Sequence, residues 1–356
     1  MVRDAVPLGE CARALVINLR HHGDVLLASP VLGALKAHAP RLELDALVYD
    51  DTRPMLEGHP ALSQLFTVGR HWKRDGAFAR LAGEARLFGN LRARSYDLII
   101  HLSEQPRGAW LARALDARHA VAPVVPERGG FWRGSFTHLY PIAERRHQVE
   151  VNLDALRRIG VQPSAAERSV VFVPGPAAES RVAALLPERN FVHLHAASRW
   201  RFKCWPAERN AELADRLAAD GLKVVLTAAP EADERLFIDE ILKITKSKPV
   251  NLAGQLSIKE LGALTSRARL FVGVDSMPMH LACAMGTPSV VLFGPSGEAE
   301  WGPWNVAHRV VTSRHSCRPC GFDGCGGGKV SECLTTIPVE PVHAAARDLL
   351  AHTRAR

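Results

Sequence analysis

The chain has 356 residues, 47% hydrophobic and 23% charged, with a formal net charge of +8. That length favours two domains with a sizeable core, and the positive balance suits either an acidic partner (nucleotide phosphates, nucleic acid or an anionic membrane surface) or a generic basic surface. No run approaches the ~18 apolar residues of a membrane-spanning helix, and seven cysteines, an odd number, argue against a fully paired disulfide framework and for a reducing cytoplasm.

The N-terminal residues carry only a weak apolar run, so no signal peptide is expected. "RALVINL" (13–19) reads as a buried strand, "RHHGD" as a loop, and "VLLASPVLGALKAHAP" as one helix ending near Pro40. In the loop, Gly23 is expected to supply a tight turn where a β-carbon would clash. Asp24 at the mouth of the helix is either a plain N-cap or a carboxylate facing a cleft, able to take a proton from a hydroxyl nucleophile. Strands follow at "LELDALVYD" (42–50) and "YDLIIHL" (96–102). The stretch 103–165 is less regular, either a mobile loop over an acceptor site or an irregular insertion, and 161–190 reads as an interdomain connection.

Alternation then resumes with a strand in "FVHLHAAS" (191–198), a helix over 206–220 stopped by Gly221, a strand at 223–229 and helices at 231–243 and 257–267. Between the first strand and its helix lie Ser198, Arg199, Arg201 and Lys203. Basic and hydroxyl residues just before a helix suit a phosphate; the alternative is a loose basic loop with Trp205 packed beneath it. Next comes "GVDSMPMHLACAMGTPSVVLFG" (273–294), a strand–helix–strand unit whose polar letters gather at its first turn, where open parallel sheets place ligands. Ser276 or Asp275 would cap the helix, His280 would add a hydrogen bond or charge or be structural, and Asp275 would otherwise hold Lys203 or His280. Repeated βα units in two halves predict two doubly wound sheets with a cleft between them.

Two further motifs lead elsewhere. "CGGGKV" (325–330) is no phosphate loop, because Asp323 stands where a Walker-type loop needs glycine and Val330 where it needs Ser or Thr. Cys317, Cys320, Cys325 and Cys333 could ligate one zinc through four thiolates. Their spacing departs from paired CxxC knuckles, so reduced thiols closing a loop, or a disulfide, are the alternatives, and no metal is expected.

The stretches "LVINLRHHGDVLLASPVLGALK", "FKCWP", "VGVDSMPMHLACAMGTPSVVLFGP" and "WGPW", with the late cysteines, resemble the heptosyltransferases of glycosyltransferase family 9 across nearly the whole chain. "HHGDVLL" and "FKCW" look most like the branch that adds the third heptose of the lipopolysaccharide inner core. The resemblance implies an α/β GT-B fold of two Rossmann-like doubly wound domains. Residues 1–170 would bind the acceptor and 186–337 the nucleotide sugar, and a C-terminal helix within 338–356 would pack back on the N-terminal domain. It implies inverting transfer from ADP-L-glycero-D-manno-heptose to a heptose, with Asp24 as base supported by Gly23. Ser198, Arg199, Lys203, Asp275, Ser276 and His280 would lie at the donor site. Met277 stands where many relatives have glycine.

The same resemblance implies no required cofactor, a phosphorylated lipopolysaccharide acceptor, a cytoplasmic location with peripheral inner-membrane association, and no nucleic acid. The alternatives are transfer of a first or second heptose or of another nucleotide sugar, and, in a different class, a non-catalytic nucleic-acid binder with a zinc-bearing tail.

Overall fold

The computed structural model describes residues 4–70 and 77–353, with residues 77–80 described by their backbone. It divides into two compact units, Met1–Phe172 and Val173–Arg356.

The N-terminal unit holds strands β1 (Arg13–Asn18), β2 (Glu43–Tyr49), β3 (Leu62–Val68), β4 (Leu98–His101), β5 (His119–Pro123) and β6 (His138–Tyr140). They form one sheet in the order β3-β2-β1-β4-β5-β6, every pairing parallel. Helices cover both faces of such a sheet, so its central strands read as continuous apolar runs; Ala14 to Ile17 and Leu98 to Ile100 are all buried. The order reverses between β1 and β4, which makes the segment after β1 the expected ligand-facing turn.

Two local readings change here. The helix expected over 25–40 is two helices, His22–Leu26 and Ser29–His38. Pro30 lacks the N–H that would bond Leu26 and its ring would clash there, so the first helix stops and Pro30 opens the second. The stretch 103–165 is regular, neither a loop nor an irregular insertion. It supplies helix Pro106–Leu115, strands β5 and β6, and helix Gln148–Arg158, which buries Val149, Leu153 and Leu156.

The C-terminal unit repeats the topology with β7 (Phe191–His195), β8 (Lys223–Leu226), β9 (Val250–Asn251), β10 (Leu270–Val274), β11 (Ser289–Phe293) and β12 (His308–Thr312). Their order is β12-β11-β10-β7-β8-β9, again all parallel, with its reversal between β7 and β10. The expected connection over 161–190 is shorter than that, because Pro176–Leu185 is a helix of this unit. Ala178, Val182 and Leu186 recur every fourth residue and share a buried cluster with Ala263 and Leu264. Helix Ala207–Ala219 ends where expected, with Gly221 at φ +81, a conformation that residues with a β-carbon adopt at a cost. Helix Ile258–Arg267 opens with a reciprocal capping box between Ser257 and Glu260.

The last helix, Val339–His352, lays its apolar stripe (Val339, Val342, Ala346, Leu349) into the C-terminal unit's core with Leu194, Val272 and Val290. Residues 354–356 of the segment expected over 338–356 lie outside the described residues. Among the described residues no helix is long and apolar enough to cross a membrane.

Candidate active site

In the N-terminal unit Asp24 follows β1 at the point of strand-order reversal. It is the third residue of helix His22–Leu26; His21 holds the N-cap position and no side chain caps the helix, so the plain-cap reading of Asp24 fails. Gly23 is the second residue of the same helix, not a free turn residue, and lies outside the positive-φ glycines. Asp24 is 9% exposed. Its Oδ1 lies 2.7 Å from Arg20 Nε, an ion pair without hydrogen-bond alignment, and its carbonyl accepts from the Asn18 side-chain amide at 3.1 Å.

The loop before Asp24 is pinned from β3's end. Arg70 Nη2 donates to the Arg20 carbonyl at 2.7 Å, its guanidinium lies 4.1 Å over the Tyr49 ring, and His22 Nε2 meets the Asp51 carbonyl at 2.8 Å. Arg20 and Arg70 escaped sequence reasoning. The four-residue spacing from Arg20 to Asp24 was a signal for the first, while nothing local marks the second.

In the C-terminal unit the corresponding segment leaves β7 and forms a short turn, Arg201–Lys203, before helix Ala207–Ala219. Trp205 is buried beneath it and donates from Nε1 to the Ile337 carbonyl at 3.0 Å, so the loop rests on a fixed floor. Lys203 Nζ donates to Asp275 Oδ2 at 2.6 Å. Asp275 sits between β10 and helix Met277–Ala284, across the second reversal, so the pair joins the two turns that flank the switch point. Asp275 is thus a holder of Lys203.

Ser276 occupies the N-cap position of that helix, yet its hydroxyl donates to the Val274 carbonyl at 3.4 Å, with no side-chain cap. The first turn keeps its positive end uncapped, which favours an anion. His280 is buried in the same helix, and Gly286 at φ +64 closes it before Thr287 and Pro288.

The other predicted residues are arranged less tightly. Ser198 Oγ accepts from the Trp200 amide at 3.3 Å, and Arg199 is exposed with its guanidinium 5.3 Å from the Trp200 ring. Arg201 pairs with Glu240 at 3.0 Å and covers the Phe237 ring at 3.9 Å. Ser198 and Arg199 line a small pocket with Arg201, Glu231, Asp233 and Phe237. Its mixed charges suit a polar neutral group better than a bare phosphate. The Cys204 thiol beside it is pushed up to about 11 by burial, so it stays protonated and unreactive near neutral pH.

The late cysteines are free thiols. Their loop is tied to the exit of β11, with Arg318 Nε donating to the Gly294 carbonyl at 2.8 Å and the Gly321 amide to Pro295 at 2.9 Å. Cys333 is buried, and burial together with the neighbouring Cys325, Cys320 and Cys317 raises its thiol pKa. Among the described residues no group of three or more His, Cys, Asp or Glu side chains is placed to hold a metal.

Residues 84–330 match the profile of glycosyltransferase family 9 (heptosyltransferase). The chain is 35% identical over 344 residues to the lipopolysaccharide heptosyltransferase 3 of Escherichia coli K12, covering 93% of this chain and 96% of that protein. The glycosyltransferase family 9 structure from Veillonella parvula superposes with a TM-score of 0.83 at 23% identity, covering 98% of this chain and all (100%) of that one. The E. coli heptosyltransferase WaaC, solved with ADP, superposes at 0.73 with 19% identity, covering 95% and 99%. Two doubly wound parallel units in this arrangement of elements are the GT-B fold. The chain belongs to glycosyltransferase family 9, the heptosyltransferases, and is a glycosyltransferase.

Proposed function

We propose that the chain transfers L-glycero-D-manno-heptose from ADP-heptose to a heptose of the lipopolysaccharide inner core, as the third heptose, with inversion at the anomeric carbon. The observation that carries this reading is the Lys203–Asp275 pair at the second switch point, 2.6 Å long and next to an uncapped helix start. A cation held there neutralises a departing diphosphate. The choice of heptose rests on the 35% identity to heptosyltransferase 3.

The chemistry divides between the units. Asp24 takes the proton of the acceptor hydroxyl as its oxygen bonds to the anomeric carbon, and the bond from that carbon to the ADP oxygen breaks on the opposite face. Arg20 keeps the Asp24 carboxylate oriented. Lys203 and the helix start at Ser276 stabilise the charge that develops on ADP. Ser198 and Arg199 border the donor, and His280 supports the same turn. The positive charge that ADP needs comes from these groups, so the scheme requires no divalent metal.

Acceptor delivery favours a peripheral position at the cytoplasmic face of the inner membrane. On the N-terminal unit Trp110 (62% exposed) and Phe131 (39%) lean against each other with ring centroids 4.5 Å apart and planes tilted by 45°, Arg113 lies 4.8 Å over Phe131, and Arg128 and Arg133 are exposed alongside. Aromatic rings amid arginines suit an anionic lipid surface carrying a phosphorylated acceptor.

The test is transfer in vitro from ADP-heptose to core oligosaccharide bearing two heptoses, with mass spectrometry of the product. Addition of one heptose to that acceptor supports the reading. Addition only to heptose-free or mono-heptosyl acceptors reassigns the chain to the first or second heptose.

A further inference from the structure

Strand β7 carries two histidines on one face, His193 and His195, that the scheme above does not use. Both are buried. His193 Nε2 and His195 Nδ1 each lie 2.7 Å from the Thr227 hydroxyl. On its other side His193 Nδ1 lies 3.0 Å from Thr265 Oγ1, which is itself 2.7 Å from the Leu261 carbonyl oxygen.

The proton directions along this chain follow from its closed end. A carbonyl oxygen only accepts, so the Thr265 proton points at Leu261 and Thr265 must accept from His193 Nδ1–H. Burial keeps both rings neutral, lowering His195 to about 4 and His193 well below the usual range, so each ring carries one N–H. His193 Nε2 is then bare and accepts the Thr227 proton. Thr227 has no second proton to give, so its oxygen accepts from His195 Nδ1–H. His195 Nε2 is left as a lone pair.

That lone pair sits at a telling place. His195 is the last residue of β7 and stands in register with Gly273 of β10, two residues before Asp275. We propose that His195 Nε2 is a fixed hydrogen-bond acceptor for a hydroxyl group of the nucleotide-sugar donor, with Thr227, His193 and Thr265 as positioning residues that set its tautomer. The inference rests on the donor reading given above. A neutral acceptor discriminates by chemistry: it welcomes a hydroxyl and offers nothing to a phosphate oxygen, which also has only lone pairs. It therefore helps keep the diphosphate on Lys203 and the hydroxyl-bearing part of the donor on β7.

The test is long-range proton–nitrogen correlation NMR on full-length protein labelled with 15N-histidine, His195 being assigned from the His195→Gln spectrum. The free protein should show His195 with Nδ1 protonated and Nε2 bare. Saturation with ADP or ADP-heptose should move the Nε2 resonance upfield. A response to ADP alone assigns a ribose hydroxyl; a response confined to ADP-heptose assigns a hydroxyl of the sugar. An Nε2–H tautomer in the free protein, or an Nε2 unmoved by either ligand at saturation, overturns the inference. Calorimetry on the same samples separates the two levels. Absence of any binding overturns the donor reading and this inference with it, whereas bound ligand with an unmoved Nε2 overturns this inference alone. Thr227→Val should mix the His195 tautomers and raise the donor KM by up to about 10-fold with kcat nearly unchanged, since one neutral hydrogen bond is at stake. Thr227→Ser should restore both, and a Thr227→Val protein with the parent tautomer and KM overturns the relay.

Discussion

Lys203 and Asp275, 72 residues apart in sequence, hold each other at 2.6 Å, and only the lysine end of the pair keeps appreciable exposure, 24% against 8%. In the proposed scheme the carboxylate aims the ammonium instead of meeting the ligand itself. Lys203→Ala should weaken ADP binding and slow transfer by at least ~10-fold, the worth of one charged hydrogen bond. Titration calorimetry and turnover with ADP-heptose check this; unchanged values in both would remove Lys203 from the site.

Because the two side chains act as one unit, their substitutions should not add. Asp275→Ala should itself weaken ADP binding by releasing Lys203, and the double variant should resemble Lys203→Ala. A coupling of roughly 1–3 kcal/mol in the double-mutant cycle is expected for a directly paired charge. Additive losses would mean that Asp275 holds the backbone turn and not the lysine.

Asp24 is a helix residue without a capping role, so Asp24→Asn separates chemistry from structure cleanly. The variant should keep nearly the parent melting temperature and ADP affinity and lose at least ~100-fold in turnover, the usual scale of general-base assistance. Near-normal turnover in a folded Asn variant would dismiss Asp24 as base.

Acidification should destabilise the fold before most carboxylates titrate. Burial lowers His59, His101 and His195 to about 4, whereas an unfolded chain binds those protons near pH 6.5. Between these values the unfolded state holds more protons, so stability is full above pH 6.5 and falls as the pH drops towards 4. The loss is roughly 2 kcal/mol per histidine at pH 5. Calorimetric melting from pH 7.5 to 4.5 should show the decline starting near 6.5, and a flat profile down to pH 5 would contradict the burial of these rings.

The late cysteines should behave as thiols. Elemental analysis of protein purified without chelator should find far less than one metal per chain, and EDTA should leave melting and turnover unchanged. Alkylation of the native protein should reach exposed Cys317 and Cys325 first and buried Cys283 last, Cys283 being pushed up to about 12 by burial. One equivalent of bound metal lost together with the fold would overturn this.

Central strands such as β1, β4, β7 and β10 were readable because burial on both faces demands unbroken apolar runs. The edge strands were not: Leu62–Val68 and His308–Thr312 are half exposed, and His138–Tyr140 is only three residues long. At the site, Asp275 as holder of Lys203 was foreseeable because a carboxylate expected beside a phosphate needs a cation. The Thr227 bridge was hidden, because its two histidines sit 34 and 32 residues away and only strand pairing brings them together. Gly23 misled because a glycine after a strand suggests a turn, and here it lies inside a helical turn.

Each sheet reverses its order beside its first strand, and the chain leaving that strand carries Asp24 in one half and Lys203 in the other. One architectural address is therefore used twice with opposite polarity, an anion in the first copy and a cation in the second. In the proposed scheme the two electrostatic tasks of the reaction thus sit on separate hydrophobic cores and can be tuned independently. Under that scheme, reshaping the first half for a different acceptor would leave the proposed nucleotide grip of the second intact, so that acceptor choice could drift while the donor stays the same.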